Sequence, residues 1–181
     1  MRLAVITLCM ALCLTAKAGD SITLRDAFRQ MPDSLLPTLT QNNRLDFLDF
    51  HDAGMKAEVK NRLGGTSVMT ALSDDSLSLQ VSPALRVDIL LLTLSEPQDS
   101  LHQVIVVGET YIADSVYGET MVHYFTTDWN PIPLPPLNKI QQQRIDGMML
   151  QTILKWDDDL LNKVKDTNKY DNKCAILGKI S

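Results

Sequence analysis

Cysteine is scarce in this chain, which contains three in 181 residues. Cys9 and Cys13 lie in an N-terminal segment with the features of a cleaved leader, so Cys174 alone remains beyond it. A single cysteine cannot form an internal disulfide, which excludes the disulfide-dense class of small secreted domains. The chain must therefore obtain its stability from a hydrophobic core, and its length suits a single domain.

Basic charge and histidine are also limited. Lys and Arg number 17 against 22 Asp and Glu, which gives a formal net charge of −5. Such a surface repels phosphate backbones and anionic membranes, so we expect no nucleic-acid partner. The three histidines, His51, His102 and His123, are widely spaced and fall on different predicted elements. Because metal ligands must converge on one point, the sequence predicts no metal site and no cofactor.

Long apolar runs are confined to the N-terminus. Arg2 precedes an apolar run over residues 3–15, and Ala16-Lys17-Ala18 then provides the small-x-small pattern of a signal-peptidase site. Residues 1–18 are therefore predicted to be a signal peptide, with a buried N-terminal helix or strand as the alternative. We expect the protein to be exported to the periplasm or cell envelope. Later runs such as Ile89–Leu94 are far too short to cross a bilayer, so no transmembrane segment is predicted.

The segment from residue 23 to residue 63 has the pattern of short helices. Thr23 is the expected N-cap of the first helix, which ends before Pro32. Asn43 is the expected N-cap of a second helix, and residues 52–63 are predicted to form a third. The apolar face of the first helix comprises Leu24, Ala27, Phe28 and Met31.

After Gly65 the apolar period changes to two, which is typical of half-buried strands. In the second of these strands Leu77, Leu79 and Val81 are predicted to face the core, and in the third Arg86 and Asp88 are predicted to face outward. Short polar turns, with no helix of crossover length, join the strands, so they form an antiparallel meander. The predicted strands are 68–72, 77–82, 85–91, 103–111 and 119–127.

The last part of the chain is extended and then helical. Four prolines within residues 128–136 exclude a central strand there, and a helix is predicted from Asn138 onward. The fold class is therefore α+β, with N-terminal short helices packed on an antiparallel meander sheet and a C-terminal helix. We expect one domain over residues 19–165 and a flexible tail over residues 166–181.

Four stretches of the sequence resemble a known family. They are MPDSLLPTLT at residues 31–40, NNRLDFLD at 42–49, GGTSVMTALSDD at 64–75, and FTTDW at 125–129. Together they resemble the DUF3256 family of exported proteins from Bacteroidales. That family has no established activity, so the resemblance implies one exported domain and a Bacteroidales-like source, and it implies no catalytic residues.

The end of the last predicted strand is the strongest candidate for a recognition surface. Tyr124, Phe125, Asp128 and Trp129 lie where an aromatic strand runs into the proline-rich segment. Aromatic side chains beside a polar loop can form a binding surface. The structural alternative, which we favour, is that Phe125 and Trp129 cap the core.

Other candidate sites have stronger structural explanations. Asp157-Asp158-Asp159 and Asp74-Asp75 could bind calcium, but adjacent carboxylates do not converge and more simply form a solvated face and a turn. Gly64-Gly65-Thr66-Ser67 could hold a phosphate through its amides, but a helix stop followed by a strand explains it better. Cys174 lies in the predicted tail, which argues against a role as nucleophile.

The sequence favours a binding role over catalysis. No nucleophile elbow and no metal-ligand spacing is present, so the leading hypothesis is an exported, non-catalytic binding or assembly module of the bacterial cell envelope. A periplasmic hydrolase with a spatially assembled site is the alternative. A deep pocket with convergent His, Asp or Ser side chains would favour the hydrolase, whereas a shallow apolar patch or an open sheet edge would favour the binding module.

Overall fold

The structure is a computed structural model that describes residues 21–98, 101–113 and 117–154. The predicted signal peptide, the run Asp157–Asp159, Cys174 and the predicted tail lie outside these residues. The described residues form three helices and seven strands. In chain order these are α1 (Leu24–Gln30), α2 (Gln41–Asp52), β1 (Glu58–Lys60), β2 (Thr66–Leu72), β3 (Ser76–Ser82), β4 (Leu85–Gln98), β5 (Leu101–Ala113), β6 (Tyr117–Phe125), β7 (Pro131–Ile132) and α3 (Lys139–Leu154).

The N-cap of α1 is the residue that the sequence predicted, whereas the N-cap of α2 is not. Thr23 caps α1 and accepts a hydrogen bond from the backbone N–H of Asp26 at 3.1 Å. The prediction of Asn43 as the N-cap of α2 was wrong, because Thr40 occupies that position. Asn43 is instead the third helical residue, and its side chain accepts a hydrogen bond from the backbone N–H of Thr40 at 3.0 Å. Thr40 and Asn43 thus form a reciprocal capping box.

The third predicted N-terminal helix, over residues 52–63, is absent. Asp52 is the last residue of α2, and Glu58–Lys60 forms the short edge strand β1, which pairs with β2. Val59 is buried in the core and pairs with Ser67 across the ladder. This tertiary pairing decides the local structure, because three residues carry too little periodicity to do so.

The sheet is an antiparallel meander, as predicted. Its seven strands lie in the order β1-β2-β3-β4-β5-β6-β7, so each strand pairs with its neighbours in sequence. β4 and β5 are the longest strands and lie at its centre. The α+β class is therefore confirmed. Among the described residues, no helix has the length and apolarity to span a bilayer.

Helices cover both faces of the sheet and produce two hydrophobic clusters. α1 and α2 pack on one face, where Leu77, Leu79 and Val81 of β3 are buried as predicted. α3 packs on the other face and contacts β4, β5 and β6. The central residues of this second cluster are Leu90, Leu92, Leu94, Val104, Val106 and Ile145.

The prediction that Arg86 and Asp88 face solvent was wrong. Both side chains alternate along β4 with those that face α1 and α2, so they point to the opposite face of the sheet, but both are buried. Arg86 Nε donates to Asp88 Oδ2 at 2.9 Å, and Ser78 Oγ donates to the same carboxylate. Burial of the pair is tolerated because each charged group is hydrogen-bonded to the other.

Candidate functional site

The four residues of the predicted recognition surface do not share one surface. Phe125 and Trp129 are 7 % and 6 % exposed and belong to the cluster beneath α1 and α2. Tyr124 is half-buried on the opposite face, where burial is the main cause that raises the pKa of its hydroxyl. Asp128 is exposed in the loop. Phe125 and Trp129 therefore act as core residues.

Trp129 connects the β6–β7 loop to α1. Its indole N–H donates to the carbonyl of Ala27 at 2.9 Å, and its ring lies 5.6 Å from that of Phe125 in a tilted arrangement. The backbone of Trp129 has φ +63°, in the left-handed region that bulky residues rarely adopt. The buried ring and its hydrogen bond hold the loop in this conformation.

The three histidines are not brought together. His51 lies near the end of α2, with Nδ1 3.6 Å from a carboxylate oxygen of Asp52. His102 and His123 are exposed on β5 and β6, and His123 pairs with Val107 across the ladder. Across the described ranges no three His, Cys, Asp or Glu side chains form a group that could hold a metal ion.

An open cleft of about 370 Å³ lies between the start of α1 and the β2–β3 turn. Gln103 reaches into it and accepts a hydrogen bond from the backbone N–H of Ile22 at 2.8 Å. Arg25 is paired with Asp52, and Asp75 accepts a hydrogen bond from Arg144 of α3 at 2.7 Å. These polar groups bond to one another and connect separate elements of the fold, so we interpret their roles at the cleft as structural.

Gly64 and Gly65 form the β1–β2 hairpin turn, so the predicted helix stop at this position was wrong. Gly64 has φ +78°, a conformation that favours glycine. The side-chain oxygen of Asn61 accepts hydrogen bonds from the backbone N–H groups of Leu63 and Gly65, each at 3.0 Å. An amide cradle for phosphate is therefore not available here, because these donors already have a partner.

Within the described residues, the outer side of β6 is largely unpaired. β6 spans Tyr117–Phe125, but β7 pairs with only Tyr124 and Phe125. The ladder stops after Ile132, where the chain continues into the proline-rich segment that leads to α3. In the part of the chain that the structure describes, no strand lies against the rest of β6. Residues 119–123 are called the β6 edge below.

The backbone of the β6 edge presents hydrogen-bonding groups to the outside. Thr126 donates its N–H to the carbonyl of Asn130 at 2.9 Å, toward the β7 side. Backbone direction alternates along a strand, so Tyr124, Val122 and Thr120 face the same side as Thr126. Tyr124 is paired with Ile132 of β7, whereas no strand among the described residues pairs with the outward backbone groups of Val122 and Thr120. The edge therefore offers two residues that an added strand could bond.

The side chains of the β6 edge differ between its two faces. On the face of α1 and α2, Glu119, Met121 and His123 are exposed, and Met121 is 43 % exposed. On the face of α3, Thr120 and Val122 are half-buried, and the hydroxyl of Thr120 lies 2.9 Å from that of Thr110. Sequence periodicity predicted a strand here, but whether its outer side had a neighbour depended on how far β7 extends.

The comparisons with known proteins identify the family. The family described as "Protein of unknown function (DUF3256)" matches residues 17–170 of this chain. The chain belongs to DUF3256. The match includes every helix and strand described above, so the DUF3256 region contains both the cleft and the β6 edge. The resemblance noted in the sequence is thereby confirmed.

A solved structure resembles part of this DUF3256 chain. It is a domain of an uncharacterized protein from Porphyromonas gingivalis W83, with 25 % identity and a TM-score of 0.49. The similarity covers 62 % of this chain and 57 % of the neighbour, so the chain spans little more than half of that structure's length. No curated protein matches the chain.

Proposed function

We propose that this DUF3256 protein is an exported, non-catalytic assembly module of the bacterial cell envelope, which binds a protein partner by strand addition at the β6 edge. The observation that carries the proposal is the outer side of β6, where Thr120 and Val122 present backbone donors and acceptors that no strand of the described residues bonds. Strand addition to an exposed sheet edge is a recurrent mode of protein recognition. Export is supported by Arg2, the apolar run and the Ala16-Lys17-Ala18 pattern.

The rest of the sheet perimeter contrasts with the β6 edge. β1 is three residues long and carries Glu58 and Lys60 at its ends, and short charged edges discourage unwanted pairing. β7 begins with Pro131 and is followed by Pro133, neither of which has an N–H for a further strand. The β6 edge is longer than β1 and contains no proline, and no strand from the described residues covers it, so we interpret it as a surface for a partner.

The contacts of the described polar groups support a non-catalytic role. Asp88 lies in a buried pair with Arg86, and the groups around the cleft hold α1 and α3 to the sheet. A catalytic site needs groups that converge on a substrate rather than on each other. These contacts give no support to the hydrolase alternative.

Capture from the envelope fraction tests this function. Tagged mature protein is incubated with an envelope extract, beside a Met121→Lys variant and a Leu63→Lys control. Met121→Lys places a charge within the edge, a change that blocks strand addition. Leu63 is 77 % exposed in the β1–β2 turn, so Leu63→Lys adds the same charge at the other end of the sheet.

We expect the wild type and Leu63→Lys to capture the same protein, and Met121→Lys to lose it. Equal capture by all three would contradict a role for the β6 edge. Export is tested separately by N-terminal sequencing of the protein from the periplasm or envelope. The sequence is expected to begin at Gly19, and a cytosolic protein that retains Met1 would contradict export.

A further inference from the structure

We infer that the α-ammonium group of Gly19, which cleavage of the predicted signal peptide creates, binds the carboxylate of Asp74 in the cleft between α1 and the β2–β3 turn. Removal of the signal peptide then stabilises the fold as well as releasing the chain. This inference goes beyond the proposed function and rests only on its export step, which makes Gly19 the first residue of the mature protein.

The backbone of Ile22 anchors the start of the mature chain beside the cleft. Its N–H donates to Oε1 of Gln103 at 2.8 Å, and Nε2 of Gln103 donates to its carbonyl at 3.2 Å. Both residues line the cleft, which has a volume of about 370 Å³. The amine of Gly19 is three residues before this anchor and lies within about 10 Å of it, because a residue spans at most about 3.3–3.6 Å.

The cleft contains a carboxylate without a cationic partner. Asp74 lines the cleft and is exposed, and no cation among the described residues forms an ion pair with it. The other charged groups that line the cleft are paired, Arg25 with Asp52 and Asp75 with Arg144. A positive group that enters the cleft therefore has Asp74 as its counter-charge.

The mature N-terminus provides a single positive group of this kind. Between Gly19 and Arg25 the sequence has no Lys, Arg or His, so the amine is the only cation before α1 reaches Arg25. Asp20 is negative, but in an extended chain its side chain points to the opposite side from those of its neighbours. In the uncleaved precursor the nitrogen of Gly19 is an uncharged amide, so the ion pair forms only after cleavage.

Thermal unfolding of the mature protein, prepared with Gly19 as its first residue, tests the contact. Asp74→Asn removes the charge and keeps a residue type that suits a turn. We expect it to lower the melting temperature by about 2 °C near neutral pH, the effect of one exposed ion pair in a domain of this size. Asp46→Asn is the matched control, because Asp46 is exposed on α2 and does not line the cleft. This variant should melt like the wild type.

Two further measurements distinguish an ion pair with the amine from a role of Asp74 in the turn. Two alanines added before Gly19 move the amine by about 7 Å, so Asp74→Asn should not lower the melting temperature of the extended chain. An ammonium group paired with a carboxylate has a raised pKa in the folded state. Its stabilising effect is present below the unfolded pKa of about 7.7–8.0 and is lost as the pH rises through the folded one. The difference between wild type and Asp74→Asn should therefore shrink between about pH 6 and about pH 10.

Three results would overturn the inference: equal melting of Asp74→Asn and Asp46→Asn, a loss in Asp74→Asn that persists in the extended chain, or a loss that is the same at both pH values. These results are separate from the proposed function, which the capture experiment at the β6 edge tests with Met121→Lys. N-terminal sequencing adds a fourth result. An exported protein whose sequence begins at a residue other than Gly19 contradicts this inference and leaves export and the β6 edge standing.

Discussion

Arg44 is a charged residue on α2 with 1 % of its surface exposed. Its guanidinium donates to the carbonyl of Met31 at 2.5 Å and to that of Leu39 at 3.4 Å, and it pairs with Asp33 at 2.9 Å. These bonds hold the loop between α1 and α2 against the second helix. Periodicity could not predict this role, because an arginine beside an apolar helix face is expected to be exposed.

Arg44→Met is expected to lower the free energy of unfolding by about 2–4 kcal/mol, because two buried carbonyls lose their donor. Arg62→Met is the matched control, since Arg62 also contacts Asp33 but its side chain is 49 % exposed. An exposed ion pair is worth less than about 1 kcal/mol. Urea denaturation measures the free energy of unfolding of both variants. Equal losses in the two variants would show that burial of Arg44 contributes nothing.

Asp26 provides a pH-dependent contribution to stability. The hydroxyl of Thr23 donates to its carboxylate at 2.6 Å, and this bond, with Arg29 beside it, holds the pKa of Asp26 below its ordinary value of 3.8. A carboxyl group with a lowered folded-state pKa stabilises the fold above its unfolded pKa and loses that effect as the pH falls through the folded one. Asp26→Asn removes the titration.

The difference in unfolding free energy between wild type and Asp26→Asn is therefore expected to be constant near neutral pH and to shrink below pH 3.8. Urea denaturation at a series of pH values checks this. The group is exposed, so the effect is small and screened by salt. A difference that grows on acidification would contradict the assigned direction.

At the scale of elements, α1 is short, and a carbonyl at its C-terminal end accepts a hydrogen bond from outside the helix. The last carbonyls of a helix have no partner within it. In α1 the N–H of Met31 bonds to Phe28, which leaves Ala27 to accept from the Trp129 indole. The β6–β7 loop thus completes the C-terminal end of a helix a hundred residues earlier in the chain.

Trp129→Phe keeps an aromatic ring but removes the indole N–H. We expect it to lower the free energy of unfolding by about 1–3 kcal/mol, because the buried carbonyl of Ala27 then lacks a donor. Tyr111→Phe removes an exposed hydroxyl that bonds to Glu109, and it should cost less than about 0.5 kcal/mol. Thermal and urea unfolding compare the two variants. A Trp129→Phe variant as stable as Tyr111→Phe would show that this link is unimportant.

The elements that the sequence predicted correctly are those with long, regular periodicity. β3 alternates Leu77, Leu79 and Val81 with polar residues, and one face is buried as expected. β1 escaped detection because Val59 is its only apolar residue. In the run Ile89–Leu94 every residue except Thr93 is buried, so side chains on both faces of the strand are covered, which strict alternation cannot describe. The polar residue Ser78 of β3 is half-buried rather than exposed, because its hydroxyl donates to the carboxylate of the buried Asp88.

At the scale of the whole molecule, the order of the strands followed from the short polar turns. The location of the candidate site could not be predicted from the sequence in this way. Trp129 and Phe125 formed the most conspicuous aromatic segment of the sequence, yet both pack into the core. The β6 edge has no aromatic or catalytic signature, because an open edge is defined by where a neighbouring strand stops. The prolines around β7 were visible in the sequence, but the point at which the β6–β7 pairing stops was not.

Amide hydrogen exchange along β6, followed by NMR of the dilute mature protein, tests the open edge most directly. Glu119, Met121 and His123 direct their amides toward β5, so they are expected to exchange slowly. Thr120 and Val122 direct their amides to the open side and are expected to exchange rapidly. Exchange at these two amides that is as slow as at Glu119, Met121 and His123 would contradict the account.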